Sequence, residues 1–240
     1  MSGANSVVVY RDDKRRATVS GCTIPSANPK TGDMLQLAIL TDTVDPLTAA
    51  RTGADEDVCG ICPLRPKHSG GTGECYVNLA FMPRQVWETT EGDDTVSVDT
   101  LPAGKPLRLG SYGDPFFLPL RLLRALTRKR RHTGYTHQWR HAPSSVSKRY
   151  ARYVMASIDK RSGPLVNLIT EAKALGYRYF RISESSDDVR PNEVLCPNYT
   201  HGVQCADCGL CDGSRGQEDK RKDIVIPVHG SGTGSYTKGD

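Results

Sequence analysis

The stretch "PLVNLITEAKALGYRYFRIS" (residues 164–183) carries a helix straight into a strand. Leu165, Leu168, Ile169, Ala172 and Leu175 recur with the 3.6-residue period of an amphipathic helix, with Pro164 at its entry and Gly176 at its exit. "RYFRIS" (178–183) then reads as a strand. Working outward, "YVMASID" (153–159) and "TGYTHQW" (133–139) are strand candidates before it, and "DIVIPVHG" (223–230) is one after it. Further upstream, "MLQLAIL" (34–40) is an apolar run of strand length. "DPLTAARTG" (45–53) has a capping Asp45, Pro46 at the first helical position and Gly53 at the exit. "PLRLGSYGDP" (106–115) reads as a strand ending at Gly110, with Asp114-Pro115 opening a helix through "FFLPLRLLRALTRKRR". Pro119 lies too deep for an undisturbed start, so that helix begins late or kinks. Strands alternating with helices predict a parallel α/β sheet or an incomplete (β/α) barrel, with cysteine-rich metal-binding loops, as one domain over residues 1–230. The chain has no internal repeat, and the Gly/Ser-rich residues 231–240 are expected to be a disordered tail.

The composition of the 240 residues, 37% hydrophobic and 25% charged, is that of an ordinary globular protein. No apolar run reaches the roughly 18 residues of a membrane span. The N-terminus lacks an apolar core before its charged segment, so no signal peptide is expected. A reducing cytoplasm follows as the expected compartment, and disulfides are uncommon there. The eight cysteines therefore need another explanation.

Seven of them fall into two clusters. Cys196, Cys205, Cys208 and Cys211 lie at intervals of eight, two and two residues, and Cys59, Cys62 and Cys75 at intervals of two and twelve. Converging thiolates bind iron–sulfur clusters or zinc, and the ladder of three with a separate Cys-Pro favours iron–sulfur over a zinc ribbon. The quartet has a full ligand set of its own. The trio leaves a fourth position for Cys22, His68, solvent or a ligand, and an open position is the form of a reactive centre. A structural zinc completed by Cys22 or His68 is the competing expectation.

Charge is unevenly spread. Residues 101–152 hold 12 Lys/Arg and a single acid, Asp114, whereas residues 1–100 hold 9 Lys/Arg against 14 acids. Such a block suits phosphate. Its candidate contacts are Arg128, Lys129, Arg130, Arg131, Arg140, Lys148, Arg149 and Arg152, with Tyr150 and Tyr153 interleaved to stack a base. No P-loop, HExxH or nucleophile-elbow sequence is present, which speaks against the common hydrolases.

The segments "CGICPLRP…GECYVN", "LRLGSYGDP", "HTGYTHQWR", "VMASID", "GYRYFRIS", "LCP…CADCGLC" and "IVIPVHG" together resemble a family of bacteriophage proteins, over about residues 20–230. More distantly the chain is similar to radical-SAM-like phage proteins, in which a cysteine loop ending in Cys-Tyr, here Cys75-Tyr76, precedes a strand ending in Gly-x-x-x-Asp, here Gly110 to Asp114. That resemblance implies a partial barrel, an iron–sulfur cluster, S-adenosylmethionine as a cofactor and residence in the host cytoplasm. The Cys-x2-Cys-x12-Cys spacing departs from the Cys-x3-Cys-x2-Cys usual in radical-SAM enzymes, which speaks against S-adenosylmethionine.

Ligands of parallel α/β sheets gather beyond the carboxyl ends of the strands. That rule brings forward Asp114, His137 and Gln138 as catalytic candidates, and Ser111, Tyr112 and Ser157 as cofactor-binding ones. Trp139, Asp159, Ser183 and Glu184 share the rim. Asp114 also suits a helix cap and His137 a structural histidine. Two functions are thus expected. One is a metal-binding, iron–sulfur protein of reductive or radical-SAM-like chemistry on a small molecule. The alternative is a zinc-stabilised nucleic-acid-binding protein of phage or plasmid replication or regulation.

Overall fold

The structure, a computed structural model, describes residues 4–67, 70–216 and 218–228; the expected tail at 231–240 and His68 lie outside the described residues. Among the described residues nine strands form one sheet: β1 (Ser6–Arg11), β2 (Arg15–Ser20), β3 (Leu35–Thr41), β4 (Leu107–Tyr112), β5 (His132–Thr136), β6 (Met155–Ile158), β7 (Tyr179–Ser183), β8 (Glu193–Leu195) and β9 (Asp223–Pro227). Their order is β1-β2-β3-β4-β5-β6-β7-β9-β8, so the sheet is open, with β1 and β8 at its edges. β1, β2 and β3 pair antiparallel, and every pair from β3 to β8 is parallel. The α/β class expected from the alternation is therefore present as a mostly parallel sheet.

The antiparallel hairpin is an addition that the helix–strand alternation did not signal. Its turn is set by Asp12, whose carboxylate accepts the N–H groups of Lys14 and Arg15 at 2.9 Å. β4 does not end at Gly110. It continues to Tyr112 because Gly110 adopts φ +70°, and the register against β3 shifts there.

Eight helices are described: α1 (Pro46–Thr52), α2 (Glu56–Cys59), α3 (Met82–Thr89), α4 (Leu120–Thr127), α5 (Ser144–Tyr150), α6 (Leu165–Ala174), α7 (Pro197–His201) and α8 (Cys205–Cys208). α1 has its expected cap: Asp45 accepts from the N–H groups of Leu47 and Thr48 (2.9 and 3.2 Å), an interaction worth about 1 kcal/mol. Pro119 delays α4 to Leu120, after a 3-10 turn over Pro115–Phe117.

Parallel strands laid down in sequence order, joined by right-handed crossovers, place their helices on one face. Leu123 and Leu126 of α4, Tyr150 of α5, and Leu168 and Ala172 of α6 accordingly share one core with Leu107, Leu109, Ala156, Ile158 and Tyr179 of the strands. Each fully buried leucine contributes roughly 1.5–3 kcal/mol. Strand alternation turns Arg108, Tyr112, Tyr135, Met155, Ser157, Phe180 and Ile224 to the opposite face. Tyr135 and Phe180 meet there at 4.5 Å between ring centroids. Among the described residues no helix is long and apolar enough to cross a membrane.

Two buried charge systems tie the last strands together. Glu193 accepts from Arg181, Tyr179 and the Arg190 N–H, with both acid and guanidinium fully buried. Arg178 donates from beneath β7 to the carbonyls of Leu210 (2.6 Å) and Gly213 (3.3 Å), which pins the second cysteine loop to the sheet.

His132, at the start of β5, lies 3.0 Å from the Tyr153 carbonyl. Burial holds its imidazole below the ordinary histidine range. The unfolded chain then takes up a proton that the native state refuses. Stability should accordingly fall as pH drops below about 6.5, through the folded value, and be fully present above it. Unfolding midpoints of the wild type and His132→Asn between neutral and mildly acidic pH check this. An acid limb no shallower in the variant would count against it.

Candidate functional site

Beyond β3 the chain runs through α1 and α2 and delivers Cys59 to the carboxyl edge of the parallel strands. The Asp114 N–H, just past β4, donates to the Val58 carbonyl at 2.7 Å. The Gln138 side chain, just past β5, donates to the Cys59 carbonyl at 2.9 Å. Cys59, Cys62 and Cys75 line one cavity of about 360 Å³, together with Asp55, Arg65, Lys67, Val77, Leu79 and Tyr112. Cys59 and Cys62 are half-buried and Cys75 is exposed at the mouth.

The loop owes its shape to a few polar side chains. Gln138 also receives the Ile61 N–H at 3.4 Å, so its amide clamps the backbone on both sides of Gly60. Gly60 itself has φ +54°, a conformation open to glycine at little cost. Arg65 lies buried behind the trio. It makes a two-pronged bond to Asp55 (3.1 and 2.6 Å) and donates to the Gly60 carbonyl at 2.6 Å. The far end of the loop is tied by Glu74, which pairs with Arg161 (2.7 Å) from beyond β6 and accepts from Thr72 (2.9 Å). Sequence reasoning missed Asp55, Arg65, Glu74 and Arg161. The local signal was an arginine and an acid set inside a cysteine loop, where a solvated surface would have no fixed need of either.

Burial pushes the Cys59 thiol well up, and the neighbouring Cys62 and Cys75 push it further. Cys62 is raised by burial and then by Cys75, Asp114 and Asp159, with a backbone N–H opposing. Burial and mutual repulsion thus favour the protonated form of all three thiols.

The rim residues named from the sequence divide by role. Tyr112 lines the cavity, and burial raises its phenol above the ordinary range. Asp114 is a cap: its carboxylate accepts the N–H groups of Phe116 (2.9 Å) and His137 (2.8 Å). Burial nevertheless raises it. His137 lies 4.0 Å from the buried Asp159, and burial lowers its imidazole while Asp114 opposes. Gln138 is the clamp. Ser157 sits on the same sheet face as Tyr112 and its carbonyl accepts from Trp139. Ser111 faces the helices instead, where its hydroxyl donates to the Leu37 carbonyl at 3.0 Å.

The second cysteine loop lies across the same sheet face, toward the amino ends of the strands. The Cys205 and Ala206 N–H groups donate to Lys30 and Thr31, ahead of β3, and the Gly134 N–H donates to the Cys211 carbonyl. Cys196, Cys205, Cys208 and Cys211 all line one narrow cavity of about 20 Å³ against Tyr135 and Ile224. Burial pushes the Cys211 thiol up to about 12, with the other three cysteines adding to it and Tyr135 opposing. Cys22 lines neither cavity; its sulfur lies 3.6 Å from the Val19 carbonyl, which removes it as a fourth ligand of the trio. Among the described residues, no group of three His, Cys, Asp or Glu side chains is drawn together as a site for a single metal ion.

Of the basic residues, Arg130 and Arg131 are spent on the carbonyls of Pro102 and Asp207, and Arg140 pairs with Glu171 at 2.9 Å. Arg128 has only a 3.8 Å contact with the exposed Asp99. The expectation that Tyr150 stacks a base is corrected: Tyr150 is buried on Phe116 (4.1 Å) with its hydroxyl on the Leu118 carbonyl, while Tyr153 is half-buried against the core. The chain matches no protein-family model, no curated protein and no solved structure.

Proposed function

We propose that this chain is an iron–sulfur protein built on an incomplete (β/α) barrel, with its reactive centre at Cys59, Cys62 and Cys75. One observation carries the reading: the trio faces a cavity of about 360 Å³, whereas the quartet encloses about 20 Å³. The first volume falls within the range of small-molecule pockets, roughly 300–1,000 Å³. The second holds little more than a water, so Cys196, Cys205, Cys208 and Cys211 serve a closed, supporting site.

The donor set fits the group. Three thiols and, among the described residues, no imidazole line the first cavity, and all-sulfur sets suit iron–sulfur clusters or zinc. A single zinc would want its thiolates about 3.8 Å apart around one point. A polynuclear cluster sets its thiolates farther apart around one shared space, and Cys59, Cys62 and Cys75 line one such cavity. Cys59, Cys62 and Cys75 would hold such a cluster, and it would supply electrons to a small molecule in the cavity. The chain's own residues do the rest. Gln138 and Arg65 hold the loop in shape, Glu74 and Arg161 anchor its far end, and Tyr112 forms a wall against which a small molecule is oriented. S-adenosylmethionine is the candidate that the phage-protein resemblance supplies, and the reaction class is reductive or radical.

Anaerobic purification followed by iron and sulfide reconstitution tests the reading. The wild type should turn brown and hold iron and sulfide at the first centre. A Cys59→Ser/Cys62→Ser variant should lose both the colour and the sulfide. Colourless protein with stoichiometric zinc would overturn the proposal. Adding S-adenosylmethionine to the reduced protein should alter its paramagnetic spectrum; an unchanged spectrum removes that cofactor and leaves the cluster.

A further inference from the structure

The face of α4 and α5 that points away from the sheet is independent of the cysteine sites. On α4, Leu123 and Leu126 are buried while Arg121 and Arg124 are exposed, and Lys129 continues the basic run past the helix end. On α5, Ser147 and Tyr150 are buried while Lys148 and Arg149 are exposed, with Arg152 just beyond. The two helices follow adjacent parallel strands, so they stand side by side in the helical layer, about 10 Å apart. Tyr150 locks α5 against the segment entering α4 through its ring contact with Phe116 and its bond to Leu118. Among the described residues, none of these six cations makes an ion pair. Residues 101–152 contain only one acid, Asp114, which is buried as a cap; acids from other segments reach the neighbouring Arg128 (Asp99) and Arg140 (Glu171).

We infer that this face docks the phosphate backbone of double-stranded nucleic acid. Six cations without ion-pair partners among the described residues, four on two neighbouring helices and two just past their ends, match a polyanion. Of the aromatic side chains of this region, Tyr150 is buried and Tyr153 is half-buried against the core. The face therefore offers charge without the stacking platform that single strands use. Binding is through the backbone, so it is independent of sequence and steep in salt.

The test is fluorescence anisotropy of the full chain with a short DNA duplex across roughly 50–200 mM salt, a range over which backbone-driven affinities fall by orders of magnitude. Arg121→Gln/Arg124→Gln/Lys148→Gln/Arg149→Gln should weaken binding by about tenfold or more. It should also flatten the slope of log affinity against log salt by about 3.6, since each of the four lost phosphate contacts contributes about 0.9. A control with the same net charge, Arg51→Gln/Arg84→Gln/Lys220→Gln/Lys222→Gln, removes exposed cations from other elements. It should keep most of the affinity. Equal losses in the two variants would overturn the assignment to this face. Tighter binding to a single strand, or to vesicles of anionic lipid, would overturn the assignment to a duplex. Matching unfolding midpoints establish that both variants are folded.

Discussion

Replacing Glu193 by alanine should destabilise the fold by about 3–5 kcal/mol, because it strands a buried guanidinium. Arg181 is fully buried on β7 and gives Glu193 two short bonds, 2.8 and 2.6 Å, across the intervening β9. Its second acid, Asp188 at 2.7 Å, is half-exposed and cannot replace what is lost inside. Tyr179 and the Arg190 N–H would lose their acceptor as well. Burial pushes the Glu193 carboxyl up, but Arg181 and the Arg190 N–H outweigh it and hold it below the usual range. The stability it contributes is therefore present above about pH 4.3 and is lost as pH falls through the lower folded value. Urea unfolding at neutral pH measures the cost. A loss below about 1 kcal/mol would show the pair to be dispensable. Arg181→Met combined with Glu193→Leu should recover much of the stability, since the pair's desolvation cost disappears along with the pair.

The second large effect is expected at Gly60. In Gly60→Ala the new Cβ would lie 2.4 Å from the Gln138 Oε1 and 2.8 Å from the Phe117 Cζ. Neither neighbour is free to yield: Gln138 is held by its bonds to Cys59 and Ile61, and Phe117 lies under the Arg15 guanidinium at 4.7 Å. Backbone strain adds to the clash, so a cost of roughly 3 kcal/mol falls on the cysteine loop. Gly53→Ala is the matched control. Its φ is also positive, at +86°, but its Cβ would meet nothing within 4 Å, so it carries only the strain, about 1 kcal/mol. Iron uptake at the first centre should fall to background in Gly60→Ala and persist in Gly53→Ala. Equal uptake in the two would refute the clamp.

The helix at 164–177 and the strand after it were legible because periodicity and punctuation are local properties. So were the Asp45 cap and the late start of α4 forced by Pro119. The hairpin of β1 and β2 was not, although its strands are short and its turn is an ordinary aspartate turn. What makes it part of the sheet is pairing with β3, which no local signal encodes. The cysteines announced themselves by spacing, but their supports did not. Gln138 lies 79 residues from the carbonyl it holds, and Arg161 lies 87 from Glu74. Ser111 and Tyr112 looked equivalent at the end of one strand. Alternation sends one hydroxyl to the Leu37 carbonyl and the other to the cavity.

By itself the sequence determined the α/β alternation, the two cysteine groups and the cationic block, since each is a matter of residue type and near-neighbour spacing. Tertiary structure decided which group faces open space and which is closed. It also decided which arginines are spent on internal carbonyls, and that Tyr150 packs inward. Those outcomes depend on which distant chain segments meet, and strand order and crossover handedness fix that only once the whole sheet has formed.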